Sequence, residues 1–170
     1  HASTAMEIMN ELQYDSLTGV YNKKTITEYA KKRLAEEKEK RIVIAILDVD
    51  HFKSVNDTFG HLYGDKVLAR VGGRLKEIVG EDGVIGRIGG DEFVVLIHDI
   101  TDDGIEKVLK RIEKCRVKYN EENNVNLDFA KGVSLYTEGD TTFENLVARA
   151  DAEMYRDKRL TKKGRRDDYE

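Results

Sequence analysis

The sequence contains no proline and a single cysteine, Cys115. One cysteine excludes an intrachain disulfide, and a chain without one fits a reducing, cytosolic setting. No apolar run approaches the roughly 18 residues of a membrane-spanning helix, so no membrane segment is expected. Charge of one sign is also lacking. Charged residues make up 36% of the chain, against about 25% in an average domain, yet the net charge is only −4. A balance of that kind decorates solvated helices and argues against a polyanion-binding face, so nucleic acid is not an expected partner. His51, His61 and His98 have no zinc-like spacing and no cysteine partner. There is no Gly-x-x-x-x-Gly-Lys-Ser/Thr loop, which excludes a P-loop NTPase. With no low-complexity tract and no internal repeat, the 170 residues read as one domain, able to bury roughly 70% of its unfolded surface.

What is present centres on the stretch from Val84 to Ile97. Two β-branched segments flank Gly89, Gly90, Asp91 and Glu92, which reads as strand, tight turn and strand with two acids at the bend. Glycines beside acids let a ligand approach the backbone and suit a triphosphate with its metal; solvated acids on an ordinary hairpin are the alternative.

The remaining chain supplies helices and one more apolar strand. His1 to Ala5 resembles a tag remnant, and Met6 to Tyr14 reads as the tail of a helix entering from upstream, so the chain is expected to be part of a longer protein. Asp15 to Asn22 is rich in turn formers, and Asn22 is placed to cap a helix from Lys23 to about Lys38 with Ile26, Tyr29, Ala30 and Leu34 on one face. Ile42 to Leu47 is an apolar run short enough for a strand buried on both faces, and it delivers Asp48, Val49 and Asp50 to the sheet's edge. An Asp there is either a ligand or simply the start of a turn.

A polar, glycine-punctuated stretch from Phe52 to Asp65 leads into a helix that buries Val67, Leu68, Val71, Leu75, Ile78 and Val79, with Asp65 in the N-cap position. Beyond the hairpin, Asp102 or Asp103 caps a helix carrying Ile105, Val108, Leu109 and Ile112, with Cys115 as a small residue near its core face. Val125, Leu127 and Phe129 begin a strand that runs towards Val133 and Leu135. Thr141 with Glu144 forms a capping box for a last helix bearing Phe143, Leu146, Val147, Ala150 and Met154 and ending in basic residues.

If the Asp48 strand pairs with the hairpin, Asp48, Asp91 and Glu92 form an oxygen-only cluster that prefers magnesium or manganese to zinc. One or two such ions clamp a triphosphate and lower the pKa of an attacking hydroxyl.

The string Gly89-Gly90-Asp91-Glu92-Phe93 resembles the signature of the GGDEF family, the diguanylate cyclases. Four further stretches resemble that family's motifs in order: the entry turn from Asp15 to Asn22, Asp48 to Asp57, Gly60 to Asp65, and Ala150 to Lys158. Lys23, Glu153 and the late Gly164 depart from the pattern. The resemblance covers about 150 residues, from Asp15 to the last helix. It implies an α+β fold, an α/β sandwich with a central, mainly antiparallel five-stranded sheet wrapped by helices as in the palm of nucleotidyl cyclases. It also implies condensation of two GTP molecules to cyclic di-GMP with release of two pyrophosphates.

Position by position, the resemblance implies Mg2+ or Mn2+ held by Asp48, the Val49 carbonyl and Asp91. Asp91 or Glu92 would assist deprotonation of the 3′-hydroxyl. Lys53 and Lys158 would meet the phosphates, and Asn56, His61 and Asp65 the guanine and ribose, with Phe52, Gly89 and Gly90 completing the substrate site. A buried Asp65 would accept from guanine N1–H and the 2-amino group, which adenine cannot match. A product with two guanosines calls for a second copy of the domain facing the first. An upstream sensory domain would control it. The family's product-inhibition pair falls on Gly80 and Gly83, so no such site is expected. A GTP-binding regulatory module without turnover is the alternative function, and a plain dimerisation domain a third.

Overall fold

The computed structural model describes residues 2–36, 42–50, 52–98, 103–135 and 142–168. Strands Ile42–Asp50 (β1), Gly83–Arg87 (β2), Glu92–His98 (β3) and Asp128–Leu135 (β4) form one antiparallel sheet in the order β2-β3-β1-β4. The helices are Ala2–Gln13 (α1), Lys23–Glu36 (α2), Phe52–Phe59 (α3), His61–Val79 (α4), Gly104–Asn123 (α5) and Phe143–Asp168 (α6). The α+β sandwich expected from the sequence is therefore present, with four strands among the described residues rather than five.

β1 lies inside the sheet, and its period-two alternation sorts its side chains into two cores. Ala45, Leu47 and Val49 join Val67, Leu68, Val71 and Leu75 of α4 and Val108 and Ile112 of α5. Ile42, Ile44 and Ile46 join Ile26, Ala30 and Leu34 of α2 and Leu146, Ala150 and Met154 of α6. A strand apolar on both faces needs helices on both sides.

Several boundaries differ from the sequence reading. α1 begins at Ala2, so it runs through residues that resembled a tag. The stretch from Phe52 to Phe59 is a helix, because Phe52 and Val55 pack on the core while the polar residues between them face outward. Asp65 is not an N-cap: Gly60, at φ +88°, precedes α4, and Asp65 lies in its second turn. Asp103 precedes α5 and pairs with Lys107 at 3.3 Å, whereas Asp102 lies outside the described residues. β4 starts at Asp128, because the Leu127 N–H and carbonyl bond the Asn120 side chain at 2.9 and 2.8 Å and not a strand. Thr142 caps α6 by accepting the Asn145 N–H at 3.1 Å. Glu144 pairs instead with Lys31 of α2 at 2.8 Å, and Thr141 lies outside the described residues. The expected Asn22 cap is present, its Oδ1 accepting the Thr25 N–H at 2.9 Å.

Candidate active site

The β1–β3 register sets Asp48 opposite Glu92, and the Val49 N–H donates to the Asp91 carbonyl at 3.0 Å. Alternation puts Asp48 and Glu92 on the face of Ile44, Ile46 and Val94, which α6 covers. Lys158 of α6 therefore reaches Asp48, with Nζ 2.6 Å from Oδ2. Asp48 is 8% exposed. The Asp91 carboxyl lies beside that of Asp48. Burial pushes Asp91 above the usual carboxylate range, and the neighbouring Asp48 adds to the rise. Burial raises Glu92 likewise, reinforced by Asp151, Asp48 and Asp91 and opposed by Lys158. Asp151 was not singled out in the sequence; it lies seven residues, about two turns, before Lys158, and so on the same side of α6.

The turn that carries Asp91 is held by Arg87, the last residue of β2. Its guanidinium donates to the Gly89 carbonyl at 3.2 Å and to the Gly90 carbonyl at 3.0 and 2.6 Å. Its Nη1 bonds both Asp15 oxygens, at 3.2 and 3.1 Å. Asp15 in turn accepts the Thr18 N–H at 3.0 Å and hydroxyl at 2.7 Å. One side chain thus ties the entry turn after α1 to the Gly-Gly turn. The Asp15 contact is not visible from spacing, since 72 residues separate Asp15 from Arg87.

Burial alone would raise Asp15, but the Thr18 bonds and Arg87 outweigh it and leave its carboxyl below the ordinary value. A depressed pKa in the folded state stabilises above the unfolded value, about pH 4, and that stabilisation fades as pH falls through the folded value. Asp15→Asn is accordingly expected to cost about 1 kcal/mol at neutral pH, with the gap from the parent narrowing in acid as the pH falls below about 4. Urea midpoints at neutral and acid pH measure it, and a gap independent of pH would contradict the assignment.

A second group of expected residues lies on α3 and α4, beyond the end of β1. Phe52 and Asn56 are half-buried, whereas Lys53, His61 and Asp65 are exposed. Asn56 Oδ1 is buried and has no hydrogen-bond partner. It occupies the space where a side chain at Gly64 would start, so Gly64 lets α4 pass close to α3. An orphaned amide oxygen is costly and marks a place for a donor from outside the chain. Asp65 lacks the burial expected of it.

Among the described residues no group of three His, Cys, Asp or Glu side chains is set as a metal cage. The donors nevertheless fit a hard divalent ion: Asp48 and Asp91 present adjacent carboxyl oxygens, and no soft ligand lies among the residues named. No helix among the described residues is long and apolar enough to cross a membrane.

Residues 12–164 match the family described as diguanylate cyclase, GGDEF domain. The chain is 36% identical over 155 residues to the diguanylate cyclase DgcP of Pseudomonas aeruginosa, covering 85% of this chain and 22% of that protein. It is 30% identical over 164 residues to the probable diguanylate cyclase DgcF of Escherichia coli, covering 92% and 52%. The chain thus spans about half or less of the length of these two relatives. The GGDEF domain of DgcB from Caulobacter crescentus, solved in complex with c-di-GMP, superposes with a TM-score of 0.78 at 28% identity, over 86% of this chain and 90% of that one. The diguanylate cyclase SiaD of Pseudomonas aeruginosa, solved with its activator SiaC, gives 0.79 at 28% identity, over 94% and 63%. With the Gly89 to Phe93 string at the bend, the acids paired across β1 and β3, and the match running from the end of α1 into α6, the chain belongs to the GGDEF domain family of diguanylate cyclases.

Proposed function

We propose that this chain is a catalytically active diguanylate cyclase domain that condenses two GTP molecules into cyclic di-GMP with release of two pyrophosphates. The observation that carries the reading is the juxtaposition of Asp48 and Asp91 beside the intact glycine turn, with Lys158 reaching the same point. Asp48, Asp91 and the Val49 carbonyl are assigned to Mg2+ or Mn2+, which when bound polarises the phosphates and the attacking hydroxyl. Asp91 and Glu92, raised by their surroundings, are suited to take a proton from the 3′-hydroxyl. Lys53 and Lys158 are assigned to the phosphates. Asn56 offers its unpartnered oxygen to the guanine amino group, with Phe52, His61 and Asp65 around the base and ribose. Gly89 and Gly90 leave the turn open to the triphosphate.

Each 3′-oxygen attacks the α-phosphorus of the other nucleotide and expels pyrophosphate, so two copies of the domain must face each other. A cytoplasmic location and control by a sensory domain elsewhere in a longer protein belong to the same reading, in which residues 15–170 form the cyclase domain and α1 the incoming helix. The test is GTP turnover with magnesium on protein fused to a dimerising coiled coil, following cyclic di-GMP and pyrophosphate by chromatography. Product formation is expected. A demonstrably dimeric protein that binds GTP and forms none would leave the regulatory module in its place.

Product feedback through the segment that leads into β2, residues 80–83, is not part of this activity. Gly80 adopts φ +55°, ψ −131°, a conformation reserved for glycine, and a side chain at Gly83 would start on the Leu96 carbonyl oxygen. Neither position can bear an Arg or Asp without moving the backbone. Added cyclic di-GMP is therefore expected to cause no non-competitive inhibition in initial-rate assays, and such inhibition traced to residues 80–83 would refute this.

A further inference from the structure

The ammonium of Lys158 already sits on Asp48, one of the two carboxylates that a divalent ion would use. Its Nζ lies 2.6 Å from Asp48 Oδ2, with side-chain exposures of 26% for Lys158 and 12% for Asp48. The lysine is brought there by a firmly placed helix. Asp157, the preceding residue, accepts the Lys131 N–H of β4 at 3.1 Å, and Gly132 lets β4 and α6 approach so closely that a Cβ there would lie 2.7 Å from the Met154 nitrogen. The backbone of α6 is fixed, but the lysine side chain has four rotatable bonds and can swing to a stronger acceptor.

We propose that Lys158 is a resident counter-cation that holds Asp48 closed to divalent metal until the phosphates of an incoming nucleotide draw the ammonium away, so that metal and nucleotide bind together. The inference rests on the cyclase reading for the identity of the nucleotide. Placing a divalent ion about 4 Å from a retained ammonium is unfavourable by an order of magnitude or more in affinity, even at high dielectric. A triphosphate removes that conflict. The lysine exchanges one carboxylate for phosphate oxygens, and Asp48 becomes available beside Asp91. Every positive charge keeps an anionic partner at each stage, which a half-buried site requires. By linkage the coupling is reciprocal, and metal strengthens nucleotide binding by the same factor.

The experiment measures Mn2+ binding by electron paramagnetic resonance, with and without a non-hydrolysable GTP analogue. It compares the parent, Lys158→Met, Lys158→Gln and Lys158→Arg, each checked for a native circular dichroism spectrum. Without nucleotide, the two neutral variants should bind Mn2+ about tenfold more tightly than the parent or more, while Lys158→Arg stays as weak as the parent. The analogue should raise the parent's Mn2+ affinity sharply and that of the neutral variants about tenfold less. Glutamine retains a donor for Asp48, so it covers the case in which methionine does not fold. Folded neutral variants that bind Mn2+ no better than the parent overturn the proposal, as does a Lys158→Arg protein that binds as tightly as they do. Such a result alongside normal GTP turnover by the parent would leave the cyclase reading intact. Tighter Mn2+ binding by the neutral variants in a chain that never makes cyclic di-GMP would do the reverse.

Discussion

Asp91→Ala is expected to lower cyclic di-GMP formation at least about 100-fold while leaving the fold as stable as the parent or more so. The two halves of that expectation have one cause. Asp91 is held against Asp48 in a half-buried position where burial and the neighbouring carboxylate both disfavour its charge. A group kept under those conditions is a liability for stability and an asset for a divalent ion, which converts the repulsion between the two carboxylates into coordination. Removing it relieves the repulsion and leaves Asp48 alone with Lys158. Asp91→Asn should lose activity almost as fully, because the amide oxygen is a weaker ligand and the side chain can no longer take a proton. Initial rates and thermal unfolding, measured on the same preparations, separate the effects. An alanine variant that retains a tenth of the activity would move the metal site elsewhere.

Gly132→Val is expected to unfold the chain or destabilise it by about 3 kcal/mol or more. β4 and α6 meet here without an intervening side chain: a Cβ at 132 would overlap the Ala150 carbonyl oxygen and sit 2.7 Å from the Met154 nitrogen. Both obstacles are backbone, so no rotamer change relieves them. α6 would have to lift from the sheet, exposing Leu146, Ala150 and Met154, which are buried in the core shared with Ile44 and Ile46. Gly73→Ala is the matched control. It lies inside α4 with nothing within 4 Å of a built Cβ, and it should raise stability by about 0.5–1 kcal/mol through helix propensity. Denaturant midpoints test both, and a Gly132→Val protein as stable as the parent would refute the close contact.

The readable and unreadable parts of this protein divide along a physical line. The hairpin from Gly83 to His98 and the central strand declared themselves because local composition and burial agree: β-branched residues, glycines at the bend, and an apolar run with no polar face. The Asp48–Glu92 register needed only the expectation that the two strands pair. α3 was hidden because eight residues carrying Lys53, Ser54, Asn56, Asp57 and Thr58 look like a loop until Phe52 and Val55 find the core. Asp65 read as a cap because the helix start was placed five residues late. Arg87, Asp151 and Gly132 act through partners in other elements, and no periodicity within one segment reports such a contact.

The Arg87 bonds also bear on where the chain can be cut. Helix α2 starts at Lys23, and a trimming experiment guided by secondary structure alone would begin near there. Yet Asp15 and Thr18 complete the hydrogen-bond set that orders the Gly89–Gly90 turn, and the Tyr21 main chain bonds Ile85 and Arg87 along the outer edge of β2 at 3.0 and 2.9 Å. The short peptide before α2 is in effect a detached piece of the Gly-Gly turn's scaffold, supplied from about 70 residues earlier in the sequence. Shortening the protein past Asp15 would leave every described strand in place and still remove two of the five hydrogen bonds of the Arg87 guanidinium, loosening the bend on which Asp91 stands.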